Sequence, residues 1–174
     1  MTAQSSSGSP ISGNGRSNAP NPLEQQGESM TEMVTRLHHI EAIKQLKYTY
    51  LRSLDLNRWD DLAECLAEDV VCWYDSGRHK REGKPAVLEF LQGTSLAKAD
   101  SSSLHLVSHP VITIESDDRA VGSWALSDTV IDRSKQTVLR GAAYYRDEYV
   151  RTDDGWRIRS TGYDRLYELR DPLN

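Results

Sequence analysis

The stretch Ala120-Val121-Gly122-Ser123-Trp124-Ala125-Leu126-Ser127-Asp128-Thr129-Val130-Ile131 is rich in β-branched and aromatic residues and reads as a strand. Strand side chains alternate between faces, so Trp124, Leu126, Asp128 and Val130 point the same way. A carboxylate thus sits on a face otherwise made of large apolar groups. An ionised carboxylate there is strongly unfavourable unless something pairs with it, so the identity of its partner bears on function.

Working outward, three further strands surround this one: about Leu104–Ile114 before it, then Val138–Thr152 and Trp156–Tyr167 after it. Asp153-Asp154-Gly155 turns the chain between the last two. The N-terminal half reads differently. Met33, Leu37, Ile40, Ile43, Leu46, Tyr50 and Leu54 recur at three- and four-residue spacing, which predicts an amphipathic helix from about Thr31 to Leu56 with Thr31 as N-cap. A short helix from about Trp59 to Ala67 presents Leu62, Cys65 and Leu66 inward. Asp69–Tyr74 is a strand, followed by the turn Asp75-Ser76-Gly77 and a second short strand. Lys84–Leu91 is a third helix with Pro85 in its first turn. The Ser-rich Thr94–Ser103 is a loop. Helices followed by a run of antiparallel strands give an α+β class: a curved sheet with helices over one face, enclosing a concave pocket.

The 174 residues are enough for one domain, and 37% hydrophobic with 27% charged residues is ordinary for a globular protein. Residues 1–29 are Ser, Gly, Asn, Pro and Gln with almost no large apolar side chains, so they read as a disordered tail ahead of a domain over 30–170. The net charge of −5 disfavours nucleic acid or an anionic membrane as partner. The basic cluster Arg78-His79-Lys80-Arg81 is short and reads as a solvated strand or hairpin tip. Cys65 and Cys72 fit no metal spacing and make no disulfide framework, which suits buried thiols in a cytoplasmic protein. No apolar run is long enough to span a membrane.

Several polar residues are candidates for chemistry. His105, Val107 and His109 share a face by parity, and adjacent antiparallel strands can bring His105 to Asp128. A carboxylate bonded to one imidazole nitrogen fixes the tautomer and raises the basicity of the other, giving a general base; the alternative is a buried His–Asp pair with no chemistry. Two histidines, one followed by Pro110, are too few for a metal site. Tyr50 and Asp55 do not share a face of a regular helix, so Asp55 reaches the pocket of Tyr50 only if the helix ends or loosens near Leu54–Asn57. A carboxylate at a helix C-terminus opposes the helix dipole, which points to a functional reason for Asp55. On the last strand Arg157, Arg159, Thr161, Tyr163, Arg165 and Tyr167 alternate onto one face, and an enclosed Arg165 needs a carboxylate or a polar substrate group.

Tyr50-Leu51-Arg52-Ser53-Leu54-Asp55 followed by Trp59-Asp60-Asp61-Leu62 resembles the opening of the SnoaL-like branch of the nuclear-transport-factor-2-like (NTF2-like) superfamily, closest to the bile acid 7α-dehydratases. Matching blocks are Glu41–Lys47, His105–Pro110 through Ile114, Gly122–Asp128 and Thr161–Tyr167. The resemblance implies a cone-shaped, cystatin-like α+β fold around a deep pocket. It carries the active-site tyrosine onto Tyr50, the helix-end aspartate onto Asp55, the histidine onto His105, the strand aspartate onto Asp128 and the arginine onto Arg165. Tyr48, Trp73, His109, Trp124, Tyr144 and Tyr163 are the expected substrate contacts.

The implied activity is a cofactor-independent dehydratase acting on a hydrophobic, polycyclic or steroid-like hydroxy-ketone, in a cytoplasmic homo-oligomer (dimer or trimer). In that expectation Asp128 orients His105. An isomerase or polyketide cyclase on the same fold is the alternative, and a non-catalytic binding or structural subunit is the third reading. Departures from the pattern lie in Thr94–Ser103, in the basic Arg78–Arg81 segment and at Tyr48. Scytalone dehydratases match less well, because their second catalytic histidine falls near Gly141–Tyr145, where this chain has none.

Overall fold

A computed structural model describes residues 28–94, 97 and 99–173. The chain runs α1 (Met30–Asp55), α2 (Trp59–Glu64), β1 (Leu66–Tyr74), β2 (His79–Glu82), α3 (Lys84–Gly93), β3 (Ser101–Ile114), β4 (Arg119–Asp132), β5 (Thr137–Thr152) and β6 (Gly155–Pro172). The strands form one sheet in the order β2-β1-β6-β5-β4-β3, with β1 and β6 parallel and all other pairs antiparallel. The expected α+β class with helices over one face of a curved sheet is what the chain adopts. Among the described residues no helix is long and apolar enough to cross a membrane. The expected disordered tail lies, for residues 1–27, outside the described residues.

The N-cap of α1 is Ser29, two residues before the expected Thr31. Ser29 accepts a hydrogen bond from the Glu32 N–H at 3.2 Å, and Glu32 Oε2 accepts from the Ser29 N–H at 2.7 Å. This capping box satisfies two donors that an uncapped helix leaves orphaned. The expected stripe of α1 is only partly buried. Met33 and Leu37 are exposed, because the first two turns extend beyond the sheet; the buried face starts at His39 and continues through Ile43, Lys47, Tyr50, Leu51 and Leu54. Helix α2 stops at Glu64 instead of Ala67, since Leu66 pairs with Ile158 and the Cys65 carbonyl accepts the Ile158 N–H at 2.8 Å. Sheet pairing recruits these residues into β1. Cys65 and Cys72 are buried free thiols.

Three irregularities re-aim the long strands. In β3 the register against β4 shifts between Ser108 and Val111, and His109 takes a positive φ of 51°. In β6 the pairing with β5 leaves Arg159 and Leu166 as extra residues. The six residues expected on one face of β6 are therefore divided. Thr161, Tyr163 and Arg165 turn to the helix side together with Trp156 and Ile158, whereas Tyr167 is exposed. Each bulge places two residues against one and flips the alternation beyond it.

Beneath α1 lies a buried ion pair that the sequence reading did not single out. Lys47 Nζ is 2.7 Å from Asp147 Oδ2, and both side chains are 0% exposed. Asp147 also accepts from Thr161 Oγ1 and Tyr149 Oη at 2.8 Å each, and Tyr149 Oη in turn accepts from Trp124 Nε1 at 3.0 Å. The Lys47 ammonium lies 3.5 Å from the Tyr145 ring centroid. Burial pulls the lysine pKa below its ordinary value, and Asp147 works against that pull. Removing one partner strands a charge in the core. Lys47→Met is expected to cost roughly 3–5 kcal/mol, a fall in melting temperature of about 6–20 °C, while Lys47→Met combined with Asp147→Asn recovers much of the loss in the same thermal melts.

Candidate active site

The curvature of the sheet brings its two edge strands, β2 and β3, to one cavity under the C-terminal end of α1. The inner chamber, about 230 Å³, is lined by Tyr50 and Leu54 from α1, Tyr74 from β1, His79 from β2, Phe90 and Leu91 from α3, Thr94, His105 from β3, Tyr145 from β5 and Tyr163 from β6. A polar outer chamber of about 200 Å³ shares His79, His105 and Tyr163 with it and adds Asp128, Arg165 and Glu168. The inner walls are mostly aromatic and apolar, and the polar groups converge where the two chambers meet.

At that junction His105 Nδ1 lies 2.6 Å from Asp55 Oδ1. Asp55 Oδ1 also accepts from Ser103 Oγ at 2.7 Å, and Asp55 Oδ2 accepts the His105 backbone N–H at 2.9 Å. The histidine and aspartate side chains are 8% and 11% exposed. Burial alone would raise the Asp55 carboxyl, but the bonds and charge from His105, with the Ser103 hydroxyl, hold it below its ordinary value. An ionised Asp55 assigns the proton to His105 Nδ1 and leaves Nε2 as the basic nitrogen.

Asp55 gets there because α1 ends there. Leu56 caps the helix with φ −97°, ψ 3°, and Asn57 has a positive φ of 55°. The loosening near Leu54–Asn57 that the sequence demanded is present.

Asp128 has a different partner from the one expected. His105 and Asp128 are directly opposite in the β3–β4 register. Even so, the carboxylate is taken by Arg165, whose Nη1 and Nη2 donate to Oδ1 and Oδ2 at 2.5 and 2.8 Å. A planar fork facing two oxygens outcompetes a single imidazole N–H, and Asp55 already holds that N–H. The role of Asp128 as orienter of His105 is therefore corrected: Asp55 orients the imidazole, and Asp128 holds Arg165. Burial alone would lower the Arg165 pKa, but the bonds to Asp128 outweigh it and raise it. The guanidinium also lies 4.7 Å from the Tyr163 ring centroid. Room for this pair depends on Gly141, where a Cβ would collide with the guanidinium and lie 2.9 Å from Asp128 Oδ1.

Across the inner chamber, Tyr50 Oη and Tyr74 Oη are 2.5 Å apart. Burial pushes both phenols, and that of Tyr145, well above their ordinary pKa, so all three stay protonated donors. Among the described residues no group of three or more His, Cys, Asp or Glu is placed to hold a metal ion.

A family model described as a SnoaL-like domain matches residues 35–162. The chain belongs to the SnoaL-like family. A curated relative, an uncharacterized protein of Mycobacterium tuberculosis, is 26% identical over 141 residues, covering 78% of this chain and 88% of the relative. Among solved structures, a protein of Novosphingobium aromaticivorans described as a scytalone dehydratase is similar with a TM-score of 0.73 at 20% identity, over 79% of this chain and 90% of that one. A hexachlorocyclohexane dehydrochlorinase, LinA-type3, of Novosphingobium barchaimii gives 0.71 at 19%, over 80% and 94%. An NTF2-like protein with a cystatin-like fold from N. aromaticivorans gives 0.64 at 20%, over 80% and 91%. The shared fold is the NTF2-like cone.

Within this SnoaL-like domain, Tyr50, Asp55, His105, Asp128 and Arg165 converge, but five of the six expected substrate contacts lie elsewhere. Only Tyr163 lines both chambers. Trp124 is fully buried in the core. Tyr48 sits outside it, half-exposed on α1, its ring 6.0 Å from that of Trp124. Trp73 lies over Gly162 on the opposite sheet face, where a Cβ on the glycine would strike its ring. His109 is turned outward by its bulge and is exposed. Tyr144 is exposed, and its neighbour Tyr145 faces the cavity. The signal for that last choice was present. Ala143, Tyr145 and Tyr149 are the apolar set of β5, while Arg146 and Glu148 share the parity of Tyr144. Tyr74 on β1, His79 on β2 and Phe90 on α3 were also missed, because they reach the cavity from the end of the sheet remote from β3.

Two expectations follow. Asp55 has a folded pKa below its ordinary 3.8, so its stabilising contribution is present above about pH 3.8 and is lost as pH falls through the lowered folded value. The gap in melting temperature between wild type and Asp55→Asn should therefore be constant above that pH and close below it. Gly141→Ala should cost about 1–3 kcal/mol in denaturant unfolding, whereas Gly93→Ala, whose Cβ meets nothing within 4 Å, should not.

Proposed function

We propose that this SnoaL-like domain is a cofactor-independent dehydratase that removes water from a hydrophobic, polycyclic or steroid-like hydroxy-ketone, in the manner of the bile acid 7α-dehydratases its sequence resembles. The observation that carries the reading is the His105–Asp55 contact at 2.6 Å on the wall of a mostly apolar cavity. In this reading His105 Nε2 takes a proton from the carbon beside the ketone. Asp55 orients the imidazole and stabilises its protonated form. Tyr50, with Tyr74 behind it, donates to the enolate oxygen as charge develops there. Arg165, neutralised by Asp128, forms a polar wall that positions the substrate without calling for an anionic group. Two of the similar structures are described as a dehydratase and a dehydrochlorinase, names that denote eliminations of water and of hydrogen chloride, and this supports a lyase over a binding subunit. An isomerase would use the same base and donor; product mass separates the two, since dehydration removes one water.

His105→Ala should lower turnover of a polycyclic β-hydroxy ketone by about 10²–10⁴; a variant keeping more than about a tenth of wild-type turnover overturns the assignment. Asp55→Asn should lower kcat, whereas Asp128→Asn should act mainly on KM by releasing Arg165. The reverse pattern would return Asp128 to the role of orienter.

A further inference from the structure

Elimination of water needs an acid for the departing hydroxyl as well as a base, and His105 supplies one free nitrogen only. Its Nδ1 is bound to Asp55. A second imidazole borders the same space. His79 lines both chambers together with His105 and Tyr163. Its register partner across β1–β2 is Tyr74, whose hydroxyl meets Tyr50. Directly opposed side chains on paired strands lie side by side. The His79 ring is held 5.4 Å from that of Phe90 on α3. His105 and His79 come from β3 and β2, the two opposite edges of one sheet, and both line the cavity between those edges. His79 is exposed to solvent.

We propose that His79 is the general acid that protonates the leaving hydroxyl, an assignment that rests on the dehydratase reading above. His105 Nε2 takes the proton on the carbon beside the ketone, and that C–H pair becomes the enolate double bond, with the negative oxygen accepting from Tyr50. The enolate collapses: the carbonyl re-forms, the enolate C=C pair becomes the double bond between the α and β carbons, and the C–O bond of the β-hydroxyl breaks with its pair leaving on oxygen. The departing oxygen takes a proton from the His79 imidazolium and leaves as water. His105 ends protonated and His79 neutral; His105 releases its proton and His79 regains one from solvent, so the substrate has lost one H and one OH. The segment Arg78–Arg81, read from sequence as a solvated strand or hairpin tip, thereby contributes a residue to the site.

The test compares wild type, His79→Gln and His79→Ala on a panel of polycyclic β-hydroxy ketones and their β-acetoxy counterparts, following enone formation by ultraviolet absorbance. Acetate leaves without a proton. His79→Gln should lose about 10²-fold or more on the hydroxy ketones and less than about threefold on the acetoxy ketones. Added imidazole should restore part of the His79→Ala activity on the hydroxy ketones alone. Equal loss on both series, or no loss on the hydroxy series, overturns the acid role while the dehydratase reading stands. No turnover of either series by wild type overturns the dehydratase reading and the acid role with it.

Discussion

The site hangs on one carboxylate. Asp55, the last residue of α1, accepts from the His105 ring, the His105 backbone N–H and the Ser103 hydroxyl. Those donors all belong to β3, an edge strand of the sheet. One side chain thus ties the end of the long helix to the rim of the cone and also sets the tautomer of His105. A carboxylate at a helix C-terminus opposes the helix dipole. Three hydrogen bonds, two of them from one residue, overcome that mismatch and fix where the helix stops.

Charge is distributed in closed pairs around this contact. Asp128 and Arg165 neutralise one another on the outer wall, and Lys47 and Asp147 do so beneath the floor. Buried pairs of this kind gain little over apolar packing, yet breaking one is costly, so they act as constraints on geometry more than as sources of stability. Lys47 packs under Tyr145, and the network from Asp147 through Tyr149 to Trp124 locks strands β4, β5 and β6 to α1. The inner chamber keeps its aromatic lining because the charges below it are matched. The outer chamber keeps its polarity because Gly141 leaves space for the guanidinium.

Much of this was legible in the chain. The order of elements, the inward set Trp124, Leu126 and Asp128, and the need for α1 to loosen near Leu54–Asn57 all follow from periodicity and turn chemistry. The five polar residues carried over from the family resemblance do meet in space. The partners among them were not legible. Parity sets His105 opposite Asp128 correctly, but it cannot see that Arg165 arrives from β6 with two donors, or that Asp55 arrives from a helix fifty residues earlier. The aromatic contacts failed for a related reason. A single bulge at His109 turns it outward, and Trp73 and Tyr144 lie on the parity that faces away from α1.

Sequence by itself determined the class of fold, the faces of the central strands and the chemical types present at the site, because these depend on local spacing and on side chains whose burial requires a partner. Tertiary structure decided which partner each charge takes and which histidines see the cavity. Those choices depend on bulges that shift parity by one residue and on curvature that brings the two edges of the sheet, with His79 and His105, to a single space. Neither is encoded in any one strand; both emerge only when all six are paired.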